Sequence, residues 1–186
     1  MAKPLKQVWL YVEGKSDETF FEGSKFRDFT SSLGYTVKVK NLRTKGNVLS
    51  NFEKFLKLHD ENIHASILVY DKDCSDFNSK KIESILKNYN NSFLYVAIQE
   101  LEAWFCADHE EVKRINHHAT LNKDTHSITN PKNWLKDLFF KADKGFKNEM
   151  SFAEHFAEKI NLTNARQHNK SLDRFLSAFE NNFKEK

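Results

Sequence analysis

Four short stretches of the chain carry the pattern of strands. Val8-Trp9-Leu10-Tyr11-Val12 and Ser66-Ile67-Leu68-Val69-Tyr70 are almost continuously apolar and rich in β-branched and aromatic residues, as strands buried on both faces should be. Tyr35-Thr36-Val37-Lys38-Val39-Lys40 alternates strictly, which leaves one face wet, and Ser92-Phe93-Leu94-Tyr95-Val96-Ala97 reads as a fourth strand. Helical periods fall between them. Ser16 to Phe29 places Phe20, Phe21 and Phe26 at helical spacings behind a Ser16 cap with acids in the first turn. Asn47 to Leu58 carries Leu49, Phe52, Phe55, Leu56 and Leu58, and Ser79 to Tyr89 carries Ile82, Ile85 and Leu86. The order β-α-β-α-β-α-β predicts an α/β fold: a mainly parallel four-stranded sheet flanked by helices.

After the fourth strand the period changes for good. Leu101, Trp104 and Phe105 predict a helix over Gln99 to Asp108 that packs directly on the sheet, and no convincing strand follows His109. Asn116 to Thr129, polar and holding His117, His118 and His126, reads as an exposed connection. Asn130-Pro131 opens a helix with Trp134, Leu135, Leu138 and Phe139, Ser151-Phe152-Ala153-Glu154 has the form of a capping box, and a last helix spans Ser171 to Phe183. The expected organisation is an α/β domain over residues 1–108 and a C-terminal helical extension over 109–186 packed on it.

Composition narrows this picture without naming a partner. With 186 residues and 17 Phe the chain can bury a sizeable core, and 5 Gly and 2 Pro argue against a turn-dense all-β protein. Two cysteines, Cys74 and Cys106, make neither a disulfide scaffold nor a four-Cys zinc site. No signal peptide fits the N-terminus and no run approaches the roughly 18 apolar residues of a membrane span, so a cytoplasmic protein with no membrane partner is expected. The net charge of +3 is uninformative as a total. It hides a basic stretch: Gly23 to Lys57 holds eight basic residues against two acidic, and Lys38, Lys40, Arg43 and Lys45 lie where no acid interrupts. Such a patch can guide a phosphate backbone, as readily as it can be a solvated strand face.

The acids carry the chemistry. In a parallel sheet the C-terminal strand ends share one edge, where ligands bind. Glu13 ends the first strand, Asp71 and Asp73 the third, and Glu100 and Glu102 follow the fourth. If the first and third strands are neighbours, about 4.8 Å apart, Glu13, Asp71 and Asp73 face one small space. Carboxylates gathered there repel unless a cation neutralises them, and a hard divalent ion, Mg²⁺ or Mn²⁺, suits oxygen ligands and phosphoryl chemistry. Glu100 and Glu102 stand about 200° apart if the backbone is helical, so they converge only if it is not yet helical there.

Glu13-Gly14 after the first strand, Lys15-Ser16-Asp17-Glu18 opening a helix and Asp71-x-Asp73 after the third strand together resemble the TOPRIM fold of topoisomerases, primases and the OLD-type and RloB-type nucleases of bacterial defence systems. Gln99-Glu100-Leu101-Glu102-Ala103-Trp104-Phe105 is similar to a segment of small TOPRIM-like proteins encoded beside ABC-type ATPases. The likeness covers residues 7–108 and, more faintly, the tail from Ala165 to Phe179. It implies a metal-dependent nuclease with nucleic acid as substrate, serving anti-phage defence with an ATPase subunit. Glu13 would then be a metal ligand or general acid/base, Asp71 and Asp73 metal ligands, and Glu100 or Glu102 the acid of a second metal site. Asp76 competes with Asp73 for the outer ligand position.

Other readings fit less well. Gly14-Lys15-Ser16 lacks the earlier glycine of a phosphate-binding loop, since Trp9 stands in its place, and no histidine pair has a zinc spacing. A phospho-accepting receiver, with Asp71 as acceptor, lacks the paired acid after the first strand and a fifth strand ending in Lys. A non-catalytic regulatory or binding module acting only through its partner is the remaining alternative.

Overall fold

The computed structural model describes residues 5–43, 48–58, 63–72, 79–143 and 149–183. Its frame is a four-stranded sheet of β1 (Lys6–Val12), β2 (Tyr35–Asn41), β3 (Ala65–Asp71) and β4 (Ser92–Ala97). The order is β2-β1-β3-β4 with every neighbouring pair parallel, so the two continuously apolar strands are the central ones. Leu10 pairs with both Val39 and Ile67, and Asp71 stands opposite Ala97.

Alternation along the strands divides the interior into two clusters. On one face, Tyr11, Leu68 and Tyr70 pack against α3 (Val48–Leu58) and α4 (Ser79–Lys87) through Phe52, Leu56, Ile82 and Ile85. On the other, Val8, Leu10, Val12, Ile67 and Val69 meet a larger aromatic cluster. That cluster is built from α1 (Lys15–Phe21), α2 (Ser24–Ser32), α5 (Glu102–Cys106), α6 (His109–Ile115), α7 (Pro131–Lys141), α8 (Glu149–Lys159), α9 (Leu162–Ala165) and α10 (Lys170–Glu180). The helices after residue 109 thus share one core with the sheet. Among the described residues no helix is long and apolar enough to cross a membrane.

Several local expectations are corrected. The helix predicted over Ser16 to Phe29 breaks at Gly23, because α8 crosses there: a Cβ on Gly23 would stand 2.4 Å from Ala157 Cβ and 2.6 Å from its carbonyl oxygen. Ser16 does not cap; Gly14 does, and Asp17 Oδ2 reaches back to accept the Gly14 N–H at 2.9 Å. Ser151 and Glu154 form no N-terminal box, since α8 is already helical at Glu149.

The connection read as exposed is partly interior. A 3₁₀ turn at Thr125–Ser127 buries Thr125, whose hydroxyl donates to His168 C=O at 3.2 Å. Asn130 caps α7 as predicted, accepting the Asn133 N–H at 2.9 Å. α6 lies where the sequence pattern marks no element; Asp108 caps it through the Glu111 N–H at 3.2 Å, and its other oxygen accepts the Asn161 N–H at 2.6 Å at the start of α9.

Candidate functional site at the C-terminal strand ends

β1 and β3 are neighbours, so the residues that end them meet. The Glu13 side chain is 8% exposed, and its Oε1 accepts the Asp71 backbone N–H at 2.9 Å. One strand-end acid is thereby pinned to the backbone of the next. Directly after Glu13, Gly14 opens α1 and Asp17 is drawn back to the Gly14 N–H, which brings a further carboxyl to the same rim. Asp73 and Asp76 lie outside the described residues, as does Lys45.

The segment after β4 completes the rim in the way that requires a non-helical backbone. Gln99 has φ 72°, a left-handed conformation costing a residue with a side chain about 1–2 kcal/mol. The turn keeps Glu100 outside the helix, and α5 begins only at Glu102. Both carboxylates therefore reach one cation, the Lys132 ammonium at the start of α7, with Nζ 3.5 Å from Glu100 Oε1 and 3.9 Å from Glu102 Oε1.

Burial dominates the electrostatics. It pushes the Glu102 carboxyl up to about 8, with Lys132 opposing and Asp17 and Glu100 adding repulsion. Asp17 is likewise held above the usual carboxylate range by burial, against the pull of the Gly14 N–H and Lys132. For Lys132 burial acts downward, but Glu102, Glu100, Glu149 and Asp71 outweigh it and hold the ammonium above its ordinary value. Five elements thus supply charges within reach of one another: the ends of β1 and β3, the start of α1, the β4–α5 turn and the start of α7.

Oxygen donors and a local excess of acid suit a hard divalent cation. Among the described residues no three His, Cys, Asp or Glu side chains are arranged to hold an ion by themselves. That is compatible with Mg²⁺, which commonly takes one or two carboxylates and completes its shell with water and phosphate oxygens.

Two of the basic candidates, Lys38 and Lys40, lie on the edge strand β2. Lys38 lies over the Trp9 ring at 5.3 Å and Lys40 over the Phe55 ring at 5.5 Å, both exposed to solvent. In register Lys40 is level with Tyr11, two residues short of Glu13, and Lys38 is farther down. Arg43, at φ 67°, lies past the end of β2 and within electrostatic reach of Lys15.

Sequence reasoning missed Lys132 and the rim role of Asp17. Asp17 had a local signal, since it sits three residues after a cap position, where an acid reaches back to the start of the helix. Lys132 had none, being 30 residues beyond Glu102.

A buried polar network orients α5. Trp104 Nε1–H donates to Ser171 Oγ at 2.9 Å, Ser171 Oγ–H donates to Asn169 Oδ1 at 2.8 Å, and Asn169 Nδ2–H donates to Thr125 Oγ1 at 2.8 Å. The Gln99 to Phe105 segment and the tail from Ala165 to Phe179 therefore meet in space.

Comparison with known proteins places the chain in a family. Residues 12–180 match the family described as "Domain of unknown function (DUF4276)", and the chain belongs to it. No curated protein matches. Among solved structures, the chain is similar to the C-terminal region of the Burkholderia pseudomallei OLD protein, with 14% identity, a TM-score of 0.47 and coverage of 95% of this chain and 98% of that one. It is also similar to the C-terminal region of the Xanthomonas campestris pv. campestris OLD protein, with 14% identity, a TM-score of 0.41 and coverage of 93% and 95%. These are likenesses of layout alone.

Proposed function

For this member of the family we propose a TOPRIM-type, Mg²⁺- or Mn²⁺-dependent nuclease that hydrolyses phosphodiester bonds at the C-terminal rim of the sheet. The observation that carries the reading is the joining of Glu13 to Asp71 across neighbouring parallel strands, with Glu100 and Glu102 gathered on the same rim about Lys132.

Glu13 and Asp71 would hold the ion, with Asp73 as the third protein oxygen and Glu100 or Glu102 serving a second ion. A divalent ion bound there supplies Lewis-acid polarisation of the phosphate and a more acidic water. The chain's own groups have separate tasks. The Asp71 N–H holds one oxygen of the Glu13 carboxylate and so restricts how that group turns at the strand end. Lys132 places a positive charge where negative charge develops on a transferring phosphate. Glu102, whose carboxyl burial holds above the usual carboxylate range, would carry the proton released to a leaving oxygen in the arrangement where Glu100 serves the second ion. Lys38 and Lys40 on β2 and Arg43 past its end would receive the nucleic acid backbone, with Lys45 expected from the sequence to join them. A partner ATPase subunit and a role in anti-phage defence belong to the same reading and rest on the TOPRIM-like sequence motifs alone.

The test is cleavage of single- and double-stranded DNA and RNA by the purified chain with Mn²⁺, Mg²⁺ or EDTA. We expect cation-dependent cleavage that Glu13→Ala/Asp71→Ala abolishes while circular dichroism stays that of a folded protein. Equal cleavage by wild type and the double variant would sink the proposal.

A further inference from the structure

The two edges of the sheet are finished differently. β2 carries Lys38 and Lys40 at alternate exposed positions, the charged pattern that discourages an edge strand from pairing with other chains. β4, Ser92-Phe93-Leu94-Tyr95-Val96-Ala97, has neither charge nor proline, and its four central residues are only half-buried. Both ends of its inward ladder are defined: Asn91 C=O accepts the Ser66 N–H at 2.8 Å, and Ala97 C=O accepts the Lys72 N–H at 3.0 Å. Backbone groups alternate sides along a strand, so the odd-numbered residues face β3 while Leu94 and Val96 turn N–H and C=O outward.

Outside that edge lies a cavity of about 700 Å³. Ser92 to Tyr95 of β4 form its floor, α4 forms one wall with Leu86 and Lys87, and α10 forms the other with Arg174 and Ala178, followed by Phe183. We propose that this slot takes an extended peptide segment of a partner protein as a fifth strand, apolar at alternate positions and acidic where it passes Lys87 and Arg174.

Three features select that occupant. The outward groups of Leu94, in the slot, and of Val96, one step beyond its lining, ask for another backbone, and the apolar walls offer places for alternate side chains. Of the charged residues lining the slot, Lys87 and Arg174 outweigh Glu83, which favours a carboxylate-bearing segment. A second copy has the wrong shape: its β4 lies between its own α4 and α10 and cannot descend into a slot walled in the same way. A lone extended segment can.

The experiment selects phage-displayed random decapeptides on the full chain and then uses the most enriched sequence as a synthetic peptide. Enriched peptides are expected to alternate apolar and polar residues and to carry Asp or Glu. Binding should slow amide hydrogen exchange at Leu94 and Val96 by about tenfold or more. Leu94→Pro removes an outward N–H without touching the ladder to β3, and should bind at least about tenfold more weakly. Because that variant can also disturb packing, Lys87→Glu/Arg174→Glu is the companion: it alters exposed charge only, and should weaken the peptide about tenfold or more at unchanged melting temperature. Failure to enrich any peptide would overturn the proposal. So would a peptide that binds without protecting Leu94 and Val96, or a dimer whose formation protects those amides.

Discussion

Glu102 and Trp104 are two residues apart on the same short helix and both are buried, yet their neighbourhoods make opposite demands. Trp104 faces the aromatic cluster, packed at 5.2 Å from Phe175, and its one polar atom is satisfied by Ser171. Glu102 faces the strand-end rim, where burial opposes its charge and Lys132 only partly answers it. The contrast separates what holds the fold from what the fold holds in readiness. Aromatic packing stabilises, while the rim keeps carboxyls where they resist ionisation, an arrangement that a bound cation would relieve.

Substitutions can break this contrast from either side, and the largest effect is expected in the core. Phe175→Ala removes a ring packed among Phe21, Phe26, Tyr95, Trp104 and Phe179, and should cost about 3–5 kcal/mol in urea unfolding. Next comes Gly23→Ala. Its methyl group would meet the Ala157 backbone, so α8 must shift, at about 1–3 kcal/mol by the same measurement.

The rim should respond more weakly in stability and more strongly in chemistry. Lys132→Met should cost about 1–3 kcal/mol by leaving Glu100 and Glu102 without their cation. Mg²⁺ at a hundredfold its Kd should restore about 2.7 kcal/mol in thermal unfolding, and absence of any Mg²⁺ effect would count against a cation site. Glu102→Gln should not lower stability at neutral pH, because the amide has no charge for burial to oppose, yet it should reduce cleavage and shift its pH profile, because it can no longer lose a proton.

The smallest effect should come from two histidines outside the strand-end rim. Burial lowers the proton affinity of His64, and lowers that of His109, which is stacked on His168 at 3.7 Å. Below the ordinary histidine range the unfolded chain binds more protons than the folded one. These residues therefore contribute stability above about pH 6.5 that is lost as pH falls through their lowered folded values. Melting scans between pH 7 and pH 5 should show a modest decline that His109→Asn reduces.

Much of the fold was legible along the chain because strand and helix periods are local. The continuous apolarity of Val8–Val12 and Ser66–Tyr70 predicted central strands, and they are central. Less could be read where distant contacts decide. Gly23 breaks a helical period because α8 crosses it, 134 residues later, and Thr125 is buried because His168 and Asn169 come to it. The candidate site divides in the same way. The meeting of Glu13 with Asp71 follows from strand order and from acids placed where apolar runs stop. That Glu100 and Glu102 share one cation depends on the left-handed Gln99.

By itself, the sequence determined which segments are strands, which face of each helix is apolar, and that acids sit at the ends of the buried runs. These follow from backbone geometry and from removing apolar surface from water. The tertiary structure alone decided which acids share a space, how strongly burial resists their charge, and that Lys132 stands among them. Those depend on dielectric and distance between groups far apart in the chain, and no local pattern encodes them.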